Sequence, residues 1–184
     1  MRLLASLLFP LLFPAISGAQ NGCPAKVKAI PLRMLNGHQM VVGVSINHTG
    51  PYDFLVDTGT QMTVVDRALA ADLHLVTTGN ANVAGASFQG GAAFAQVDSL
   101  QVGEHEAASH GVVIYDMKTV QHAGFPLRGL LGEDFLSRYD VLIDKSHAVL
   151  CIDDTGMMLE RLTGQNQPHA RPGVESGPVR TAQR

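Results

Sequence analysis

The stretch Phe54-Leu55-Val56-Asp57-Thr58-Gly59-Thr60 decides how this chain is read. Three apolar residues lead straight into a carboxylate. An Asp at the end of a buried strand is costly unless it is hydrogen-bonded or functional. Thr58 places a hydroxyl beside it, and Gly59 permits a tight turn with close approach of backbone N–H groups. On its own, Asp-Thr-Gly also fits an ordinary Asp-initiated turn. Its surroundings add information. Thr63-Val64-Val65 has the look of a short strand on the far side of the loop. About seventy residues later comes Gly129-Leu130-Leu131-Gly132-Glu133-Asp134-Phe135-Leu136. Here an apolar pair is closed by glycine and followed by two acidic residues, which favour the start of a helix.

Outward from this loop the pattern is that of a β domain. Lys26 to Met34 reads as a first strand, and Asn36-Gly37 is a strong hairpin signal. Gln39 to Asn47 follows, with Val42, Val44 and Ile46 alternating against Val41, Gly43 and Ser45. His48-Thr49-Gly50-Pro51 reads as the next turn and Tyr52 to Val56 as the strand entering the loop. Asp66 is placed to cap a helix running through Leu73, because its side chain can accept from the free N–H groups of a first turn. Leu75 to Val102 is strand-like and rich in Gly and Ala. Gly111 to Tyr115 is a further strand, and Leu131 to Arg138 contains a second short helix. Tyr139 to Asp144 and Ala148 to Ile152 form a closing hairpin around Lys145-Ser146-His147. Met157 to Leu162 allows one amphipathic turn. From Gly164 onward Pro, Gly, Gln and Arg leave little to bury, which reads as a disordered tail.

These motifs, in this order, resemble the retropepsin-like aspartic protease family, including its bacterial periplasmic single-domain members. The resemblance covers about Val27 to Ile152. It rests on the apolar-apolar-Asp-Thr-Gly loop, on Leu130-Leu131-Gly132 leading into the helix Glu133 to Leu136, and on the closing hairpin. It implies an all-β, single-domain acid protease barrel with one or two short helices. It also implies catalysis by two aspartates, whereas the chain carries a single Asp-Thr-Gly. Two copies of Asp57 would then face each other across a two-fold axis in a homodimer. Close like charges cannot both ionise, so the pair shares a proton and activates a water against a peptide or protein substrate. The expected optimum is acidic, on the order of pH 4–6 by analogy with known dyads. No metal or other cofactor is needed.

By the same resemblance, Asp57, Thr58 and Gly59 form the catalytic loop, with the Thr58 hydroxyl interlocking with the partner loop. Thr60 departs from the Ala or Ser usual in the family but keeps a hydroxyl. Thr60, Phe88, Gly90, Gly91, Leu130, Leu131 and Gly132 are the expected substrate-binding residues. A flap is expected within Val83 to Ala93. The alternative is a retropepsin-like module that no longer cleaves and serves binding or assembly.

The ends of the chain carry other signals. Arg2, the apolar run Leu3 to Ile16, and Ser17-Gly18-Ala19 read as a secretory signal with cleavage after Ala19. A membrane anchor is the competing reading, but a spanning helix needs roughly 20 apolar residues, and this run is shorter and interrupted by Pro10 and Pro14. The expected division is therefore 1–19 signal peptide, 20–24 N-terminal segment, 25–152 protease domain and 153–184 flexible tail. The mature protein would be periplasmic or secreted, without a stable membrane anchor. Cys23 and Cys151 are the only two cysteines. In an oxidising compartment they can pair and tie the ends of the domain together, although two cysteines alone do not establish geometry.

A formal net charge of −3 and the lack of any Lys/Arg block give no basis for nucleic-acid binding. The eight histidines are scattered without zinc spacing and read as surface residues. Asp66, Asp140 and Asp144 read as caps or turn residues. Asp134 lacks the Thr-Gly loop and reads as a helix cap rather than a second catalytic carboxylate. No serine sits in a Gly-x-Ser-x-Gly setting, and Cys151 has no base partner in view.

Overall fold

The computed structural model describes residues 22–84, 89–119 and 125–163 of the 184-residue chain. The expected signal peptide 1–19, Phe88 and the segment from 164 onward lie outside these residues. The structure is mostly β with short helices. Eleven strands are described: β1 (Ala29–Pro31), β2 (Arg33–Leu35), β3 (Gln39–Ile46), β4 (Thr49–Val56), β5 (Val64–Asp66), β6 (Thr77–Ala84), β7 (Gln89–Val102), β8 (His105–Tyr115), β9 (Gly129–Leu131), β10 (Tyr139–Asp144) and β11 (Val149–Asp154). The helices are α1 (Arg67–Asp72), α2 (Glu133–Leu136) and α3 (Met157–Thr163), with a 3-10 turn at Met117–Thr119.

An eight-stranded sheet runs β2-β3-β4-β9-β5-β8-β7-β6, and β3 also pairs with β7. That extra pairing, Ser45 with Gln101 and Ile46 with Leu100, bends the sheet into a ring. Its interior holds Val42, Val44, Ile46, Phe54, Val97, Leu100, Val112 and Leu131, each fully buried. Strand β3 has the expected alternation, with Val42, Val44 and Ile46 turned inward. Burying side chains of this size contributes roughly 1.5–3 kcal/mol each.

Strand β9 lies in the wall of this ring, between β4 and β5. It runs parallel to β4, with Leu55 opposite Leu130 and Val56 opposite Leu131. It runs antiparallel to β5, with Val64 also opposite Leu130. Glycine is required where the three strands meet. A Cβ at Gly129 would lie 2.2 Å from the Phe54 ring and 2.3 Å from the Val64 carbonyl oxygen. A Cβ at Gly132 would lie 2.6 Å from the Met62 carbonyl carbon and 2.8 Å from the Thr63 nitrogen. The Gly-Leu-Leu-Gly pattern therefore marks a strand with backbone pressed against it at both ends.

Several boundaries differ from the sequence reading. The expected first strand divides at Leu32, which is buried and donates its N–H to the Ala148 carbonyl. There the chain leaves a small sheet, ordered β1-β11-β10, and joins the large one. The second turn is Asn47-His48, not His48 to Pro51. Both residues take positive φ, at 49° and 60°, and Thr49 already opposes Ile46. Asn tolerates this conformation, and the Asn47 side chain accepts from the backbone of Asp98 and Ser99 on β7. Asp66 caps α1 as expected, accepting from the Ala68 N–H at 3.2 Å. Its other oxygen accepts from Met117 N at 3.1 Å, which docks the 3-10 turn onto α1.

Residues 153–163, expected to belong to a flexible tail, instead carry regular structure, and the rest of that expected tail lies outside the described residues. Strand β11 continues to Asp154, and α3 follows. Asp140 accepts from the Met158 N–H at 3.0 Å, and Asp153 pairs with Arg161. Met158 is buried against Cys23 and Cys151, which form a disulfide spanning 128 residues of sequence. Among the described residues no helix is long and apolar enough to cross a membrane.

The bridge closes nearly the whole domain, so the chain-entropy argument assigns it about 5 kcal/mol. Replacing both cysteines by Ala should lower the denaturant midpoint without changing the folded far-UV spectrum. An unchanged midpoint would show that the sheet pairing of β1 with β11 holds the ends unaided.

Candidate active site

Strand β4 delivers Asp57 to the surface at the end of the buried run Phe54 to Val56. The Asp57 N–H is bonded to the Leu131 carbonyl of β9 at 3.0 Å, so the parallel ladder reaches to the carboxylate-bearing residue itself. The side chain is then held at both oxygens. Oδ1 accepts from the Gly59 N–H at 3.0 Å, and Oδ2 accepts from the Thr60 hydroxyl at 2.7 Å. Two donors to one carboxylate favour a single rotamer. Asp57 is half-buried, while Thr58 and Gly59 are exposed. The arrangement is a rigid carboxylate presented to solvent from a stiff base.

The remainder of the loop is tied to α2. The Glu133 N–H donates to the Thr60 carbonyl at 2.8 Å, and the Asp134 N–H donates to the Gln61 carbonyl at 3.1 Å. These are first-turn amides with no partner inside the helix. The loop carbonyls thus serve as their caps, because the N-cap residue Gly132 has no side chain to do so.

Asp134 accepts from the Phe135 N–H of α2 at 2.9 Å, in keeping with the capping role expected from sequence, but Gly132 holds the N-cap position and Asp134 has further partners. Its carboxylate turns back onto Thr63, which marks the end of the loop. The Thr63 N–H lies 3.0 and 2.9 Å from the two oxygens, and the Thr63 hydroxyl donates to Oδ1 at 2.8 Å. That hydroxyl in turn accepts from the Gly132 N–H at 3.2 Å. His110 on β8 contacts the remaining side of the carboxylate, with Nε2 2.9 Å from Oδ2. The histidine reading is corrected here. His38, His48, His74 and His147 are exposed as expected, but His110 is 2% exposed. Linear spacing gave no signal for it, since its partner lies 24 residues away on another element.

Burial alone would raise the pKa of Asp134. Hydrogen bonds from His110, from the Thr63 backbone and from the Thr63 hydroxyl outweigh it and hold the carboxyl below its usual range. Asp144 is also depressed, chiefly by its hydrogen bonds from Ser146 and His147. It is the expected turn residue, at the tip of the β10–β11 hairpin.

The other expected site residues are distributed as follows. Thr60 touches Asp57 directly. Leu130 and Leu131, at 2% and 0% exposed, support the loop from beneath and offer a substrate no side-chain surface. Gly132 packs against the loop backbone rather than facing outward. Gly90 and Gly91 lie on the β6–β7 hairpin, opposite Val83 and Asn82. The hairpin tip, with Phe88, is outside the described residues. Half-buried Leu55 and Met62 cover a second apolar cluster of Val64, Ala92, Val113, Tyr115, Met117 and Leu130. Through Leu55 and Met62 that cluster adjoins the loop, a placement that no local sequence pattern signals.

Residues 42–138, just over half of the chain, match the family model described as gag-polyprotein putative aspartyl protease. The matched region holds both Asp57 to Thr60 and Gly129 to Leu136. Among solved structures, the chain is similar to a retropepsin-like aspartic protease from Rickettsia conorii. The identity is 19%, over 70% of this chain and 92% of that one, with a TM-score of 0.49. It is also similar to the EIAV protease complexed with the inhibitor HBY-793. There the identity is 18%, over 57% of this chain and 92% of that one, with a TM-score of 0.44. Among curated proteins, no sequence matches.

Because the folded pKa of Asp134 is lowered, its bonds stabilise the native state fully above the ordinary carboxylate range. That stability is lost as pH falls through the lower, folded value. Asp134→Asn should lower stability at pH 7 by about 1.5–3 kcal/mol, the range for hydrogen bonds to a charged group. The variant should also lose less on acidification than the parent. Urea melts at pH 7 and pH 3 check both, and parallel losses would remove Asp134 from the acid response.

Proposed function

The chain belongs to the gag-polyprotein putative aspartyl protease family, and from that premise we propose that it is an aspartic endopeptidase acting as a homodimer. The observation that carries this reading is the Asp57 carboxylate, pinned at both oxygens and presented at the surface. One chain supplies one such loop. The water-activating chemistry of the family needs two carboxylates, so a second copy completes the site.

In the dimer, the two Asp57 side chains share one proton, because close like charges resist simultaneous ionisation. The ionised member takes a proton from the bound water. The water oxygen then attacks the peptide carbonyl, while the protonated member donates to the carbonyl oxygen. Collapse of the tetrahedral adduct breaks the C–N bond, and the amine leaves with a proton from the dyad. A substrate in extended form would lie as an added strand against the β6–β7 hairpin. The depressed pKa of Asp134 suits this chemistry, since the clamp on the loop remains ionised in the acidic range where the dyad is half-protonated.

The surface around Thr58 supports the dimer. In the sheet β1-β11-β10, strand β10 is at an edge, with one side unpaired among the described residues. All six of its residues are half-buried. Tyr139, Val141 and Ile143 line an apolar groove with Val56, Thr58 and Leu136. An edge strand beside an apolar groove invites pairing. A second β10 running antiparallel would bring the two Thr58 residues, and so the two Asp57 residues, together. Export by the expected signal peptide is supported by the Cys23–Cys151 disulfide, which suits an oxidising compartment such as the periplasm. A non-catalytic binding module is the reading that remains if the pinned carboxylate performs no chemistry.

Asp57→Asn should abolish cleavage of a peptide library at pH 4–6, on the order of the dyad range, with little change in melting temperature. Cleavage that persists in the folded variant removes Asp57 from the mechanism. Val141→Lys, which places a charge in the groove, should shift sedimentation toward monomer and lower specific activity most at low protein concentration. Full activity in a demonstrably monomeric species would refute the shared site.

A further inference from the structure

Strand β8 changes phase to bury a histidine. Ala107 is buried, Ala108 and Ser109 are both exposed, and His110 is buried again, followed by exposed Gly111 and buried Val112 to Tyr115. The shift occurs at Ser109, which takes a φ of 48°. A non-glycine residue in that conformation is uncommon, and a buried imidazole is costly unless bonded. Both features place the His110 ring under α2, with its edge toward the Phe135 ring at 6.4 Å.

The ring is bonded at both nitrogens. Nδ1 lies 3.4 Å from Nη2 of Arg138, whose Nε donates to the Asp134 carbonyl at 3.0 Å. A guanidinium only donates, so Nδ1 is the acceptor and Nε2 carries the proton given to Asp134. The two carboxylate oxygens are held unequally. Oδ1 accepts from the Thr63 hydroxyl, the Thr63 N–H and the Phe135 N–H. Oδ2 has the Thr63 N–H, already shared, and His110. Without His110, the carboxylate is free to rotate about Oδ1 and to loosen its two-oxygen grip on Thr63.

We propose that His110 is a positioning residue for the catalytic loop, acting through Asp134 on Thr63 to hold loop 57–63 at its working height over β9. Arg138 sets the tautomer that makes this possible. The inference rests on the proteolytic reading and names what keeps that site aligned. Its path to the reacting group is short. Thr63 ends the loop, the first amides of α2 hold Thr60 and Gln61, and Thr60 donates to Asp57.

The test compares His110→Leu, His110→Gln and Arg138→Met in the mature, disulfide-bonded protein. Misplacing a reacting group by about an ångström costs up to 10²-fold in rate. His110→Leu should therefore lower kcat roughly 10- to 100-fold with KM changed less than about 2-fold. His110→Gln, which keeps a donor and an acceptor, should restore most of kcat. Arg138→Met should lower kcat by a smaller factor in the same direction. A second readout needs no turnover: the ¹⁵N–¹H amide resonances of Gly59, Thr60 and Thr63 should move in His110→Leu and return in His110→Gln. Folded His110→Leu with parental kcat and unmoved amides overturns the proposal, as a purely structural histidine would lower melting temperature alone. If the parent cleaves nothing, the proteolytic reading fails, and the amides alone decide whether His110 positions the loop. If His110→Leu does not fold, Arg138→Met carries the test, and parental kcat with an unmoved Thr63 amide overturns it.

Discussion

The carboxylate of Asp134 grips the backbone and hydroxyl of Thr63, and the shape of the loop that carries Asp57 depends on that grip. A loop of seven residues between two buried strands has many conformations open to it, and ordering each residue costs about 1–2 kcal/mol of backbone entropy. The structure offsets this by fastening the loop at both ends. Asp57 is bonded to β9 at the start, and Thr63 is bonded to Asp134 at the finish. Between them the amides of Glu133 and Asp134 occupy the loop carbonyls. Few backbone groups of the loop are left to compete with the hydrogen bonds on Asp57.

This fastening is possible only because β9 and α2 lie directly beneath the loop. Strand β9 is short, fully buried and hydrogen-bonded on both sides, with β4 parallel and β5 antiparallel. The two glycines at its ends let neighbouring backbone and the Phe54 ring come closer than any Cβ would allow. Close packing of this kind transmits small displacements rather than absorbing them. Loop geometry is therefore coupled to the barrel core and, through His110, to the long β7–β8 hairpin.

The loop and the helix beneath it hold two carboxylates in different ways. Asp57 is half-buried and held by two donors. Asp134 is turned inward and more heavily bonded, and those bonds hold its carboxyl below the usual range despite its burial. The two environments differ enough to support the separate roles proposed for these carboxylates. At the far end of the molecule the disulfide and α3 close the small sheet, which leaves β10 as the edge nearest the loop.

Local chemistry determined much of this in advance. The β character, the Asn36-Gly37 hairpin, the Asp66 cap, the closing hairpin and the position of Asp57 all follow from neighbours within a few residues. Each therefore leaves a readable pattern. The resemblance to the protease family singled out Gly129 to Leu136 as a partner of the Asp57 loop, and the structure brings this segment directly beneath that loop. Contacts made across the fold were not readable. The split at Leu32 depends on the Ala148 carbonyl, and the Asn47-His48 turn is tied to β7. The pairing of Cys23 with Cys151 required β1 to lie beside β11. The burial of His110 required a phase change at Ser109 and a carboxylate brought in by another element. Such groups are satisfied by partners far away in sequence, so only the tertiary structure decides them.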